Sequence, residues 1–235
     1  MNIPLFYEPK INKSNSTFLL SEESSKHIVQ VLRMKELDTI HITNGQGVLC
    51  TAAIQMADKK KTSIKIENWL QTDNSKRKII VAVSLLKNSS RFEWMLEKLT
   101  ELGVSEIVPI ISKRTEREFF REDRLQSIVV SAMLQSQQTW LTKLHNPTNY
   151  KTFLANNTSS QKLIAHCEAN KKTSLQEIDF KNEVSILIGP EGDFTNEEIT
   201  EALQQNYLSV MLGNTRLRTE TAAVAAASVL CISYS

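Results

Sequence analysis

Cysteine is scarce in this chain of 235 residues: Cys50, Cys167 and Cys231 are an odd number, set far apart. They exclude a disulfide framework, and their apolar neighbours predict three reduced core residues. The four histidines (His27, His41, His145, His166) fall in no HExxH or CxxC pattern, so no metal site is expected. A G-x-S-x-G elbow is missing, which argues against a serine hydrolase. The Walker ending G-K-[ST] and the G-x-G-x-x-G fingerprint are missing too, which weakens the case for a phosphate cradle. Apolar runs such as SILIG and AAVAAASVL are too short to span a bilayer, and MNIPLFYEPK lacks both the basic and the apolar region of a secretory signal. The expected location is therefore the cytoplasm, with no membrane partner. There is no excess of one charge either: Lys and Arg number 28 against 26 Asp and Glu, a net +2. Residues 1–72 hold nine basic and seven acidic side chains and the rest balances at nineteen each, so charge alone selects no partner.

What is present is ordinary globular composition, 41% hydrophobic and 23% charged, over a length that suits two domains. IHIT (40–43), VLCTAAIQM (48–56) and TSIKIENWL (62–70) read as strands, joined by NGQG (44–47) and the polar tip ADKKK (57–61). Such a meander tends to close into a small barrel. Before it, Ser21 is a candidate N-cap, with Glu22 and Glu23 in the first turn and Ile28, Val31 and Leu32 at helical spacing. QTDNSKRK (71–78) has no apolar period and reads as a linker between residues 1–72 and 73–235.

Beyond the linker the pattern changes. IIVAVSLL (79–86) is a run suited to burial on both faces of a parallel sheet, RFEWMLEKLTELG (91–103) a helix closed by Gly103, and VSEIVPII (104–111) a strand. A helix over about 121–138 follows, then strands QKLIAHC (161–167) and VSILIG (184–189). Helix TNEEITEALQQ (195–205) opens on the capping box Thr195 with Glu198; strand SVML (209–212) and an alanine-rich helix end the chain. The expected class is α/β with a mainly parallel sheet.

Ligands of open α/β sheets bind beyond the carboxyl ends of the strands, and two strand ends here carry unusual loops, IGPEGDF (188–194) and LGNTRLRTET (212–221). Glycine at each exit admits close backbone approach. For Glu191 and Asp193 two readings stand: complement to the following helix dipole, worth roughly 0.3–1 kcal/mol, or ligand contact. For Arg216 and Arg218 they are surface ion pairing or contact with an anionic or nucleotide-like ligand. The alanines after them permit close helix packing.

ILIGPEGDFTNEEI followed by LGNTRLRTETAAVAA resembles the paired signature of the RsmE family, SPOUT-class methyltransferases that modify N3 of one uridine in 16S ribosomal RNA. HIVQVLRMKELDTIHITNGQG (27–47) resembles that family's PUA-like RNA-binding barrel, and EKLTELGVSEIVPIIS (97–112) its first βαβ crossover. The resemblance covers nearly the whole chain. It implies a PUA-like β-barrel over 1–72 and a SPOUT domain over 73–235, a deep trefoil knot that general topology rules disfavour, S-adenosylmethionine bound in the knot, and a homodimer. Carried over, the cofactor positions are Ile188, Gly189, Pro190, Glu191 and Gly192 in the first loop. In the second they are Met211, Leu212, Gly213, Leu217, Arg218, Thr219 and Thr221. The chain departs from the family at Arg216, shifted by one position; at LQSQQTW (134–140), which has Leu134 and Gln138 where a glutamate and an arginine are frequent; and at Asp193, where glycine is usual.

Methylating uracil N3 requires loss of its proton, hence a base or cationic donors for the charge on O2 and O4. Arg218 is the candidate donor, with Glu220 and Glu191 the available carboxylates. Lys26, Arg33 and Lys35, joined by Lys113, Arg114 and Arg117, are the expected contacts to 16S rRNA or the small ribosomal subunit. Two rivals remain: an RNA-binding protein without chemistry, and a nucleotide-binding hydrolase using the same strand-end pocket.

Overall fold

The computed structural model describes residues 3–74, 77–116, 119–168 and 171–232. The chain divides into two compact units, one of residues 1–74 with 133–141, the other of 75–132 with 142–235.

In the first unit, β1 (Leu5–Tyr7), β2 (Thr17–Leu19), β3 (Thr39–Thr43), β4 (Val48–Met56) and β5 (Ser63–Gln71) form one sheet in the order β1-β3-β4-β5-β2. The β3, β4, β5 meander is antiparallel, as the alternation of its side chains requires, while β1 joins β3 in parallel. Ile40, Ile42, Cys50, Ala52, Ile54 and Ile64 point inward to one core with Phe6 and Ile28. Helix α1 (Glu22–Lys26) begins at the expected cap, the Ser21 hydroxyl accepting from the Ser24 N–H. The apolar spacing expected to continue it does not hold. Residues His27–Val31 form a π-helical turn, closed by Leu32 N–H donating to His27 C=O at 3.0 Å. The wider turn changes the period, so Ile28 is buried while Val31 and Leu32 face solvent.

The expected helix over about 121–138 stops at Gln135, and residues 133–141, its last turn and the segment after it, group with this unit. The left-handed backbone of Gln137 (φ 57°) turns the chain. Trp140 then lies against Gly47, where a Cβ would overlap the indole ring, and its Nε1 donates to Thr72 C=O at 3.3 Å. Gly47 is thus a packing glycine as well as a turn residue.

The second unit runs β6 (Lys78–Ser84), α2 (Ser89–Glu101), β7 (Glu106–Ile111), α3 (Glu122–Gln135), β8 (Lys143–Leu144), β9 (Thr148–Asn149), α4 (Tyr150–Asn156) and β10 (Gln161–Ala165). It ends with β11 (Thr173–Ser174), β12 (Glu183–Ile188), α5 (Asn196–Gln204), β13 (Leu208–Met211) and α6 (Thr219–Ile232). Its sheet order is β11-β13-β10-β12-β6-β7-β8, with β9 also on β7, and every pair is parallel. Alternate residues of β6 and β12 serve opposite faces. Ile79, Val81, Val83, Val184 and Ile186 meet α2 and the alanines of α6, whereas Ile80, Ala82 and Leu187 meet Tyr150, Phe194 and Ile199. That two-sided burial is why these strands are continuous apolar runs. Pro109, which has no N–H to give, sits where the outer neighbour of β7 changes from β8 to β9.

One part of the expected linker is core. Arg77 is only 3% exposed: its guanidinium donates to the carbonyls of Phe180, Lys181 and Leu230 and lies 5.2 Å from the Phe180 ring centre. The three carbonyls come from segments more than a hundred residues away, so composition alone does not distinguish this buried arginine from a solvated one.

Candidate functional site

Three parallel strands end abreast. Ala165 of β10 stands beside Ile188 of β12 on one side and Val210 of β13 on the other, so their next residues leave the sheet together. The three exits enclose a cavity of about 800 Å³, the size of a small-molecule site. The first wall holds Ile188, Gly189, Pro190, Glu191 and Asp193; the second Met211, Leu212, Gly213, Leu217, Arg218 and Thr219, with Arg216 beside them. The structure therefore joins the two loops singled out in the sequence.

The loops are held by identifiable bonds. Gly189 is required by close approach, since a Cβ would stand 3.1 Å from the Phe194 nitrogen and 3.2 Å from its ring. Asp193 adopts the left-handed region (φ 63°). Its carboxylate repays the strain locally, accepting from Phe194 N–H at 2.8 Å and, across to the β10 exit, from Cys167 N–H at 2.7 Å. Arg114 donates to the carbonyls of Gly192 and Phe194. Glu191 accepts from Lys87 N–H at 3.1 Å. Past this loop, α5 starts on the expected capping box, and Glu198 accepts from Thr195 N–H and from Lys113 N–H as well. In the second loop Gly213 has φ 152° and open space around its Cα, so bare backbone faces the cavity.

Gly192, Glu220 and Thr221 stand outside this lining. Gly192 backs onto Arg114, and Thr221 lies exposed on α6. Glu220 is buried in the first turn of α6, one oxygen 3.7 Å from Arg91 Nε and the other without a partner among the described residues.

A third wall, from the β10 exit, is made of Ala165, His166, Cys167 and Lys172. That exit has no glycine to mark it in the sequence; the strand-end rule applied to QKLIAHC is the signal that finds it. Cys167 corrects the expectation of three core cysteines: it is exposed, while Cys50 is buried and Cys231 half-buried. Partial burial, then the Asp193 carboxylate, raise its pKa, so it stays a thiol. His166 is buried, with Nε2 2.9 Å from Ser209 Oγ; desolvation, then the Lys172 ammonium, lower its pKa and keep it neutral.

Residues 73–231 match the RNA methyltransferase domain model and residues 20–67 the RNA methyltransferase PUA domain model. A ribosomal RNA small subunit methyltransferase E from Neisseria gonorrhoeae, its structure bound to S-adenosyl methionine, is 30% identical with TM-score 0.90, the alignment covering 99% of this chain and 98% of that one. The chain belongs to the RsmE family of RNA methyltransferases. A probable rRNA methyltransferase of Porphyromonas gingivalis is 34% identical with TM-score 0.91, over 99% of this chain and 100% of that one. The ribosomal RNA small subunit methyltransferase E of Mesomycoplasma hyopneumoniae is 29% identical over 90% of this chain and 92% of its own length.

The RsmE-type candidates for RNA contact divide between the units. Lys26, Arg33 and Lys35 are exposed on the first, Arg33 with left-handed backbone after the π-helical turn. Lys113 is exposed on the second, its Nζ 3.7 Å from Glu197, and Arg114 is the loop brace already described. Arg117 lies outside the described residues. No helix among the described residues is long and apolar enough to cross a membrane.

Proposed function

We propose that this RsmE-family chain transfers a methyl group from S-adenosylmethionine to N3 of a uridine in 16S ribosomal RNA. The observation that carries the reading is the cavity at three abreast strand ends, walled by both signature loops. Its size suits a nucleoside cofactor. Gly213, with open space where a Cβ would stand, lets main-chain groups hold that cofactor closely, and Arg218 stands in the same wall. The cofactor supplies a sulfonium-bound methyl carbon open to in-line displacement. The chain's own work is to align the base with that carbon and to favour the deprotonated imide. Arg218 is assigned to the charge developing on the uracil oxygens. Of the two carboxylates, Glu191 lies in the cavity lining and is assigned the orienting role, whereas Glu220, paired with Arg91, positions the start of α6.

Residues 1–72 are assigned to RNA docking through Lys26, Arg33 and Lys35, with Lys113 contributing from 73–235. The trefoil knot is assigned to the last segment: β13 pairs β10, and the chain then returns through 212–218 to α6, which packs on β6 and β12. Half-buried small residues on α6, such as Ala225, support a second copy packing there, and we assign a cytoplasmic homodimer acting on the small ribosomal subunit or its RNA. Calorimetric titration tests the reading: S-adenosylmethionine should bind with one site per chain. Preference for a nucleoside triphosphate would favour a hydrolase, and no binding of either would favour a plain RNA-binding protein.

A further inference from the structure

Two side chains of the first unit stand on backbone that suits glycine. Arg33 (φ 54°) follows the π-helical turn, and Met34 N–H donates back across it to Ile28 C=O at 3.0 Å. Leu37 (φ 73°) lies two residues before β3 and is fixed to β4 on both sides. Its N–H donates to Ile54 C=O at 2.8 Å, and Ile54 N–H donates to Asp38 C=O at 3.0 Å. In this region a Cβ costs free energy that glycine avoids, and a side chain as bulky as leucine is a rare occupant. Leu37 makes little contact within the chain to offset that cost, because it is 86% exposed. Val31 and Leu32, in the same short segment, are 66% and 41% exposed.

Three aliphatic side chains in solvent within seven residues mark a contact surface, and strain kept at an exposed leucine points the same way. Charge and family select the partner. Residues 26–35 carry Lys26, Arg33 and Lys35 and no acidic side chain. Of the two acids that follow, Asp38 is tied to the turn by Lys35 N–H at 2.7 Å, and Glu36 is exposed. The segment lies within residues 20–67, which match the RNA methyltransferase PUA domain model. A duplex offers such a surface phosphates, sugars and groove edges, since its base faces are stacked on one another, whereas an unpaired nucleotide also offers a free base face. Leucine is among the apolar side chains that pack against unstacked bases. Resting on the assignment of RNA docking to residues 1–72, we propose that Leu37, with Val31 and Leu32, supplies apolar contact to an unpaired nucleotide of the RNA, while Arg33 and Lys35 hold the phosphates beside it. The segment then selects RNA with open bases over continuous duplex, which phosphate contacts alone do not do.

Fluorescence anisotropy on the full chain tests this with two RNA probes of equal phosphate count, one single-stranded and one fully paired. Wild-type protein should bind the single-stranded probe more tightly. Leu37→Gly should lose roughly fivefold to twentyfold in affinity for that probe, as loss of a leucine contact does, and should bind the duplex as wild type does. The slope of log affinity against log salt should stay unchanged, because no phosphate contact is lost. Relief of the backbone strain should also raise the melting temperature of Leu37→Gly by about 1–4 °C, so the variant gains stability as it loses affinity. A lower melting temperature together with weaker binding would mean that the leucine serves the fold, and overturns the proposal. Equal affinity of wild type and Leu37→Gly for the single-stranded probe overturns it too; weaker binding of that variant to assembled small ribosomal subunits would then give the surface to a protein. Wild-type preference for the duplex likewise overturns it. Each of these results leaves RNA docking by residues 1–72 standing, whereas failure of wild-type protein to bind either probe overturns both.

Discussion

Replacing Asp193 by alanine and by glycine separates two effects that the wild-type residue combines. Both substitutions remove the carboxylate that accepts from Phe194 N–H and Cys167 N–H. Bonds to a charged acceptor are worth ~1.5–3 kcal/mol each when buried, and Asp193 is only half-buried, so we expect a common loss of roughly 1–3 kcal/mol for the pair. The backbone effect differs. At φ 63° a Cβ costs ~1–2 kcal/mol and glycine pays none of it, while glycine's freedom in the unfolded chain returns ~0.4–1 kcal/mol of that advantage. Glycine should therefore be the more stable variant by roughly 0.5–1 kcal/mol, about 1–4 °C in melting temperature for a protein of this size. Thermal melts of wild type, Asp193→Gly and Asp193→Ala should rank in that order. Both variants should also weaken cofactor binding, since the β10 exit loses its tie to the β12 loop. An alanine variant melting with or above the glycine variant would refute the argument from backbone strain.

Three further outcomes follow from the same geometry. Arg218→Ala should cut kcat in a methylation assay by ~10²–10³, as loss of a charge-stabilising donor does, while the exposed position keeps stability within ~0.5 kcal/mol in denaturant melts. Gly189→Ala sets a Cβ against the Phe194 backbone and should cost ~1–3 kcal/mol by chemical denaturation, with weaker cofactor binding by calorimetry. His166 has a folded pKa below its ordinary 6.5, so between those two values the unfolded chain binds the extra proton and stability rises with pH. Denaturant melts from ~pH 5 to ~pH 8 should show that rise levelling above about 6.5, and a smaller rise in His166→Gln.

The elements were legible where one physical rule acts alone. VLCTAAIQM reads as a strand over the residues that form it, because alternation between a core and solvent leaves a period of two. The capping box at Thr195 placed the start of α5, because two reciprocal bonds need those two residue types at that spacing. Reading failed where tertiary partners decide. Arg77 looks like any linker cation until the carbonyls of 180, 181 and 230 arrive from distant chain. Val31 and Leu32 looked apolar-face residues until a π-helical turn rotated them outward. In the site, glycines marked two walls, Gly189 because Phe194 packs where its Cβ would stand and Gly213 because its φ of 152° disfavours a side chain. The third wall, with His166 and Cys167, is made by strand register alone and left none. The local role of Asp193 was equally hidden, since only its φ and its two bonds explain an aspartate at that turn.

The most direct measurement of the central claim is mass mapping of 16S ribosomal RNA from cells with and without this gene. One N3-methyluridine should disappear on deletion, return with the wild-type gene and fail to return with Arg218→Ala. A methylation pattern unchanged by deletion would contradict it.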